Sequence, residues 1–69
     1  MEHIEVNSSN VKSYAFDQSK QILEIEFHNG SRYQYESVPQ SLVSEMVQSD
    51  SIGKYFSSNI RNDYSGSKV

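Results

Sequence analysis

"QILEIEFHNGSRYQYE", residues 21–36, decides the fold, because it holds two alternating segments separated by an Asn-Gly pair. In the first segment Leu23, Ile25 and Phe27 alternate with polar residues, and in the second the large apolar positions are Tyr33 and Tyr35. A period of two is typical of a half-buried strand. Asn-Gly between two such segments predicts a β-hairpin.

The length of the hairpin loop decides which side chains share a face. A two-residue Asn-Gly loop would put the apolar sets of the two strands on opposite faces, since a one-residue slip reverses every side chain. A three-residue loop, His28-Asn29-Gly30, with its glycine left-handed, instead pairs Ile25 with Tyr33 and sets Glu26 opposite Arg32. We therefore predict the three-residue loop, and predict that the tyrosine pair belongs mostly to the core rather than to an exposed aromatic platform.

One more strand is predicted before the hairpin, and a further segment is a candidate for another. "VKSYAFD", residues 11–17, alternates in the same way, and the polar "DQSK" that follows it predicts a turn. "HIEV", residues 3–6, is a candidate edge strand.

After the hairpin the apolar spacing becomes helical, and two helices are predicted. Ser37 with Gln40 three residues later has the spacing of a capping box, and Pro39 fits the first turn. Ser51 is placed to cap the second helix. The apolar side chains of that helix fall on one face: Ile52, Tyr55, Phe56, Ile60 and Tyr64.

These elements predict one α+β domain over residues 1–64. Its sheet is an antiparallel meander of three or four strands, with two C-terminal helices packed on one face. Residues 65–69, "SGSKV", have little to bury and are predicted to be a flexible tail.

Composition excludes several classes of protein. The 69 residues carry a net charge of −3, no cysteine and two histidines. No apolar segment is long enough for a signal peptide or a membrane span. We therefore predict a cytoplasmic protein without a membrane association, a metal or a cofactor. The acidic balance is also unlike the basic surplus of most nucleic-acid-binding proteins.

Three segments together are similar to the KTSC domain: "VNSSNVKSYAFD", "LEIEFHNGSRYQYESVP" and "SIGKYFSSNIRNDY", which cover residues 6 to 64. The most specific positions are the two tyrosines with Val38 and Pro39, and the segment from Ser51 through Phe56 to Ile60 and Arg61. The family takes its name from the C-terminus of some lysyl-tRNA synthetases and also occurs as free-standing bacterial proteins of about this size. The resemblance implies no catalytic role, and its synthetase association suggests RNA binding.

Ser51, Gly53 and Lys54 form the first candidate contact site. Free amides at a helix N-terminus attract anions, and Gly53 would let a phosphate come close. The plainer interpretation, which we favour, is a capped helix whose glycine permits close packing of the preceding helix. Asp50 would also repel an anion there.

Arg61 is the second candidate. Its planar guanidinium suits a phosphate or carboxylate. The plainer alternative, which we favour, is a cation at the C-terminus of the helix or an ion pair with a glutamate at the sheet edge. Glu24 and Glu26 share the other face of the sheet and are predicted to be solvated charges. His3 and His28 are predicted to be a terminal residue and a turn residue.

No arrangement of side chains predicts catalysis, so we expect a non-enzymatic binding module. Two functions remain open: a protein-interaction or structural domain, which the net charge favours, and an RNA-contacting accessory domain, which the resemblance favours. The unknown partner is then a protein or an RNA, and a monomer is favoured. Tyr33, Tyr35, Pro39, Phe56 and Ile60 are expected to be mainly structural.

Overall fold

Five antiparallel strands and two helices make up the computed structural model, which describes residues 1–69. The elements are β1 (Ile4–Glu5), β2 (Val11–Asp17), β3 (Ile22–Phe27), β4 (Arg32–Tyr35), α1 (Gln40–Gln48), α2 (Ile52–Asn59) and β5 (Gly66–Lys68). Each strand pairs with the next one along the chain, in the order β1-β2-β3-β4-β5. The predicted α+β class and the edge strand near residues 3–6 are confirmed, and the sheet has one strand more than predicted. No helix combines the length and the apolar character needed to cross a membrane.

The β3–β4 hairpin has the predicted three-residue loop. Ile25 faces Tyr33 and Glu26 faces Arg32. The Phe27 amide donates to the Ser31 carbonyl at 2.9 Å, and Gly30 has a φ of 90°. The glycine is therefore needed at this position, because few other residues adopt a left-handed backbone without strain.

The core lies between one face of the sheet and the two helices, as the hydrophobic pattern predicts. Phe56 and Ile60 are both buried, as predicted. The second helix is shorter than predicted, because α2 ends at Asn59, so that Ile60 is its C-cap and Tyr64 lies beyond it. Tyr35 is only 5% exposed, and Tyr33 is half-buried against the core. The buried apolar cluster consists of Val11, Leu23, Ile25, Tyr35, Val38, Val43, Met46, Phe56 and Ile60.

The two helix starts differ in how they are capped. Ser51 caps α2 as predicted, since its hydroxyl accepts a hydrogen bond from the Lys54 amide at 3.2 Å. The capping box predicted at Ser37 is wrong: α1 begins at Gln40, its N-cap is Pro39, and no side chain caps it. The capping box fails because of the residue between Ser37 and Pro39. Val38 is fully buried there, and its amide donates to the Gln21 carbonyl at 3.0 Å.

Residues 66–68 form strand β5, so the prediction of a loose tail is corrected. Gly66 faces Tyr35 and Lys68 faces Tyr33. The Val69 amide also donates to the Arg32 carbonyl at 2.9 Å. The side chains of β5 are exposed. The strand forms because its backbone pairs with the hydrogen-bonding groups at the free edge of β4. A pattern of apolar residues does not predict such pairing.

Gly66 is required where it lies. A Cβ atom at this position would lie 2.9 Å from the Tyr35 Cδ2 atom and closer still to Cε2. The ring of Tyr35 is thus covered by the backbone of β5, which contributes to its burial.

Candidate functional site

A concave pocket of about 580 Å³ opens beside the β3–β4 hairpin, between the sheet and α2. Its floor is aromatic and apolar, and its rim is polar. The lining residues come from the loop before β2, the hairpin, β4, and α2 with the turn that follows it: Ser9, Asn10, Val11, Phe27, His28, Asn29, Tyr33, Tyr35, Gly53, Phe56, Ser57 and Arg61. This volume lies within the range of about 300–1,000 Å³ that is usual for small-molecule sites.

The aromatic rings of the pocket are held by contacts with one another. Phe56 lies edge-on to Tyr35, with ring centroids 5.2 Å apart, and tilted to Phe27 at 5.8 Å. Phe27 in turn lies edge-on to Tyr33 at 5.9 Å. Edge-to-face pairs at these separations are favourable, so the pocket wall is built from packed rings.

The pocket carries positive charge in an acidic protein. The chain has nine acidic and six basic residues, yet no aspartate or glutamate lines the pocket, and Arg61 does. Arg61 makes no ion pair, whereas Arg32 lies 3.3 Å from Glu26. The predicted ion pair of Arg61 with a sheet-edge glutamate is therefore not formed. Its guanidinium is left available in a pocket without competing carboxylates.

Arg61 and Tyr35 line the same pocket. Burial raises the pKa of the Tyr35 phenol, and the positive charge of Arg61 opposes that rise. The backbone explains the position of Arg61: its amide donates to the Phe56 carbonyl at 2.9 Å, so the chain turns back at the end of α2. This turn places the arginine beside the tyrosine.

The structure separates the three residues of the first candidate site, Ser51, Gly53 and Lys54. Gly53 lines the pocket with Arg61, whereas Ser51 and Lys54 lie outside the lining. A Cβ atom at Gly53 would lie 3.2 Å from the Ser8 hydroxyl and 3.3 Å from the Asn10 Cβ. The glycine thus permits close packing, as favoured, although its neighbour is the loop before β2 and not the preceding helix.

The other predicted residues have the expected structural settings. Tyr33, Tyr35 and Phe56 form part of the pocket wall, while Ile60 lies in the core beneath. Pro39 stands away from the pocket, at the start of α1.

Besides Ser9 and Ser57, four polar residues near the pocket were not predicted as site residues. Asn10, His28 and Asn29 line it, and His28 Nε2 lies 2.7 Å from the Ser8 carbonyl oxygen, which joins the hairpin to the loop before β2. Lys68 pairs with Tyr33 across β4 and β5, so its side chain leaves the sheet on the pocket face. No spacing in the sequence identifies Asn10, His28 and Asn29 as pocket residues. Lys68 was missed because strand β5 was not predicted.

The outer face of the sheet carries a hydrogen-bonded polar cluster, so the prediction of solvated glutamates is wrong for Glu24, which is 7% exposed. His3 bonds to the Glu24 carboxylate through Nε2, and its Nδ1 lies 2.8 Å from the Ser13 hydroxyl. Gln34 donates to Glu24 at 2.7 Å. These bonds to Gln34 and His3 hold the pKa of Glu24 below its usual value.

The N-terminal residues are the reason for this burial, because the residue just before β1, His3, bonds to both Ser13 and Glu24. His3 is therefore more than the terminal residue that was predicted. The linked serine, histidine and glutamate resemble a nucleophilic relay in connectivity. However, Ser13 is only 2% exposed and also donates to Glu26 at 3.1 Å, so a substrate cannot reach its hydroxyl.

The five-stranded sheet, the two helices and the aromatic pocket define a small α+β domain with a concave site between the sheet and α2. The sequence model of the KTSC domain matches residues 7–64, and the chain belongs to the KTSC domain family. The structure is similar to the crystal structure of a KTSC domain protein from Yersinia pestis, with a TM-score of 0.92 and 29% sequence identity. That match covers 99% of this chain and 96% of the other.

Two similar sequences place the domain in different contexts. An uncharacterised protein of Stutzerimonas stutzeri (strain A1501) is 39% identical over 56 residues, which are 81% of this chain and 79% of that protein. A lysine–tRNA ligase of Nostoc punctiforme is 33% identical over 54 residues, which are 78% of this chain. This chain spans only 10% of the length of that ligase.

Proposed function

We propose that the chain is a non-enzymatic binding module, and that the pocket beside the hairpin binds an anionic group of its partner. The observation that carries the proposal is Arg61, an arginine without an ion pair in a pocket that no acidic residue lines. An arginine fork suits carboxylate and phosphate groups alike. We place the module in the cytoplasm, acting as a monomer, and the absence of cysteine is in keeping with that compartment.

The partition of charge between the two faces supports the choice of site. On the outer face Arg32 is held by Glu24 and Glu26, so this cation is not available to a ligand. On the pocket face Arg61 and Lys68 have no such partner. An anion approaching the domain is thus attracted to the pocket in spite of the net charge of −3.

The test is an NMR titration with sodium acetate and with inorganic phosphate, which follows backbone amides and the Arg61 Nε–H signal. We expect saturable shifts at Gly53, Ser57 and Arg61. Arg61→Gln should abolish them, while the control Lys20→Gln, which removes the same charge from an exposed turn, should retain them. Shifts that survive Arg61→Gln would place the anion elsewhere and refute the proposal.

The first candidate is a protein-interaction module, in which Arg61 binds a carboxylate of the partner protein. A second candidate is an RNA-contacting accessory domain, which is favoured by the similarity to lysine–tRNA ligases. For RNA the available cations are Arg61, Lys68 and Lys54, since Arg32 faces the other way. Three phosphate contacts would give a log–log salt dependence with a slope of about −2 for a single strand.

The two candidates are separated by titrating single-stranded RNA at low and at moderate salt, with the double variant Lys54→Ala, Arg61→Ala. Salt-sensitive binding that a folded double variant loses supports the RNA candidate. A complete lack of binding at low salt excludes it and leaves the protein-interaction module.

A further inference from the structure

The pocket wall offers a flat surface as well as a charge. Tyr33 is half-buried, and the edge-on contact with Phe27 supports its ring from one side. The hydroxyl of Tyr33 has no hydrogen-bond partner within the protein. A supported aromatic ring at the rim of a pocket is a stacking surface for another planar ring.

Amide side chains that line the same pocket have unused hydrogen-bonding groups. Asn29 Oδ1 accepts from the Ser31 amide at 2.9 Å, which fixes the side chain and leaves its NH₂ group free. Asn10 lies against Gly53 and also lines the pocket. A carboxylate alone would need donors only, whereas amides present both donors and acceptors. The edges of a nucleobase carry the matching pattern.

We propose that the pocket holds one nucleotide unit, with the base stacked on Tyr33 and the phosphate on Arg61. The inference rests on the proposed function and specifies its ligand. A ring system and an attached anion account for the aromatic wall, the amides and the unpaired arginine together, whereas a simple anion accounts for the arginine alone. Lys68, opposite Tyr33 on the pocket face, adds a second charge for the phosphate.

The test compares three ligands by NMR titration of the full chain: adenosine 5′-monophosphate, adenosine, and inorganic phosphate. We expect the nucleotide to bind about tenfold more tightly than inorganic phosphate, the gain that stacking of one base provides. It should also bind more tightly than adenosine, which lacks the anion. Arg61→Gln should reduce nucleotide affinity to that of adenosine. Tyr33→Leu should reduce it to that of phosphate.

A control variant and a direct contact measurement keep the test decisive. Tyr14→Leu removes another half-buried tyrosine from the same sheet face outside this pocket, and should bind the nucleotide normally. In the unmodified protein, nuclear Overhauser effects should join the base protons to the Tyr33 ring. Their absence at saturation would overturn the stacking geometry even if the Tyr33→Leu variant did not fold.

The remaining outcomes separate this inference from the proposed function. Phosphate binding that depends on Arg61, with no gain for the nucleotide, would overturn the nucleotide and leave the anion site standing. No shift with any ligand would overturn both. A peptide with a free terminal carboxylate that binds more tightly than the nucleotide would also overturn the inference, in favour of a protein partner.

Both a free nucleotide and a nucleotide within a strand carry this chemistry. A hexanucleotide of the same base, compared with the monophosphate in one salt series, distinguishes them. Tighter and more salt-sensitive binding of the hexanucleotide identifies a strand, whereas tighter binding of the monophosphate identifies a free nucleotide. Either result supports a one-nucleotide pocket, and equal binding of an abasic hexamer overturns it.

Discussion

Lys68 lies directly opposite Tyr33 in the β4–β5 pair, so the last strand brings a cation to the face on which the pocket opens. Its neighbour Gly66 allows the same strand to pass over the ring of Tyr35. One short strand thus contributes a charge to the rim of the pocket and covers part of the core. Both roles depend on the contact between Gly66 and Tyr35.

Gly66→Ala should displace β5, because the new Cβ would collide with the ring of Tyr35. Overpacking of this kind costs about 1–3 kcal/mol of unfolding free energy. The measurement is hydrogen exchange at the Val69 amide, which donates to Arg32 and should lose protection. The exposed neighbour Ser67→Ala is the control and should change neither quantity, whereas a protected Val69 amide in Gly66→Ala would contradict the prediction.

Tyr35→Ala should lower the unfolding free energy by about 3–5 kcal/mol, as truncation of a buried aromatic side chain usually does. The side chain is 5% exposed and packs against Phe56. Urea denaturation provides the measurement. Tyr33→Ala is the comparison and should cost less, because its ring is half-buried. A loss below about 1 kcal/mol for Tyr35→Ala would show that its ring is outside the core.

Phe56→Ser should yield a partly folded or insoluble protein, because it removes the ring that contacts both Tyr35 and Phe27. We expect far-ultraviolet circular dichroism to persist while the cooperative thermal transition is lost. Ser58→Ala, at an exposed position of the same helix, should melt like the unmodified protein. If Phe56→Ser melts normally, the helix layer does not depend on this ring.

Glu24 should make the stability of the domain sensitive to acid. Hydrogen bonds from Gln34 and His3 hold its pKa low in the folded protein, so the folded state favours the charged carboxylate. Its contribution is complete above the unfolded pKa of about 4.3 and disappears as the pH falls through the lower folded value. Glu24→Gln removes the titration and should retain the shape of the side chain.

The measurement is urea denaturation of the unmodified protein and of Glu24→Gln between pH 5.5 and pH 3. The difference in unfolding free energy should be largest at the upper end and shrink toward the lower end. A difference that is constant across the range would mean that Glu24 has the same pKa in the folded and unfolded states.

The hairpin was predictable down to its loop length, because burial of one face permits a single register for residues 23–35. The helix spacing likewise predicted burial of Phe56 and Ile60. Strand β5 was not predictable from the same patterns: its side chains are exposed, and its stability derives from backbone pairing and from the small size of Gly66.

The pocket was predictable only in part. Arg61, Gly53 and the two tyrosines could be singled out, yet their meeting in one cavity depends on the turn after α2 and on the packing of distant loops. The buried Glu24 was missed for a similar reason. The alternation of apolar and polar residues along a strand identifies the face that each residue occupies. It does not reveal that another segment covers that face, as the segment with His3 does here.

The pairing of β4 with β5 also has a consequence for the order of folding. It joins Tyr35 to Gly66 and therefore closes a loop that contains both helices. The entropic cost of closing a loop is lower once its interior is already compact. We therefore expect β5 to be the last element to dock and the first to detach, so that the rim of the pocket opens at a lower free energy than the hairpin behind it.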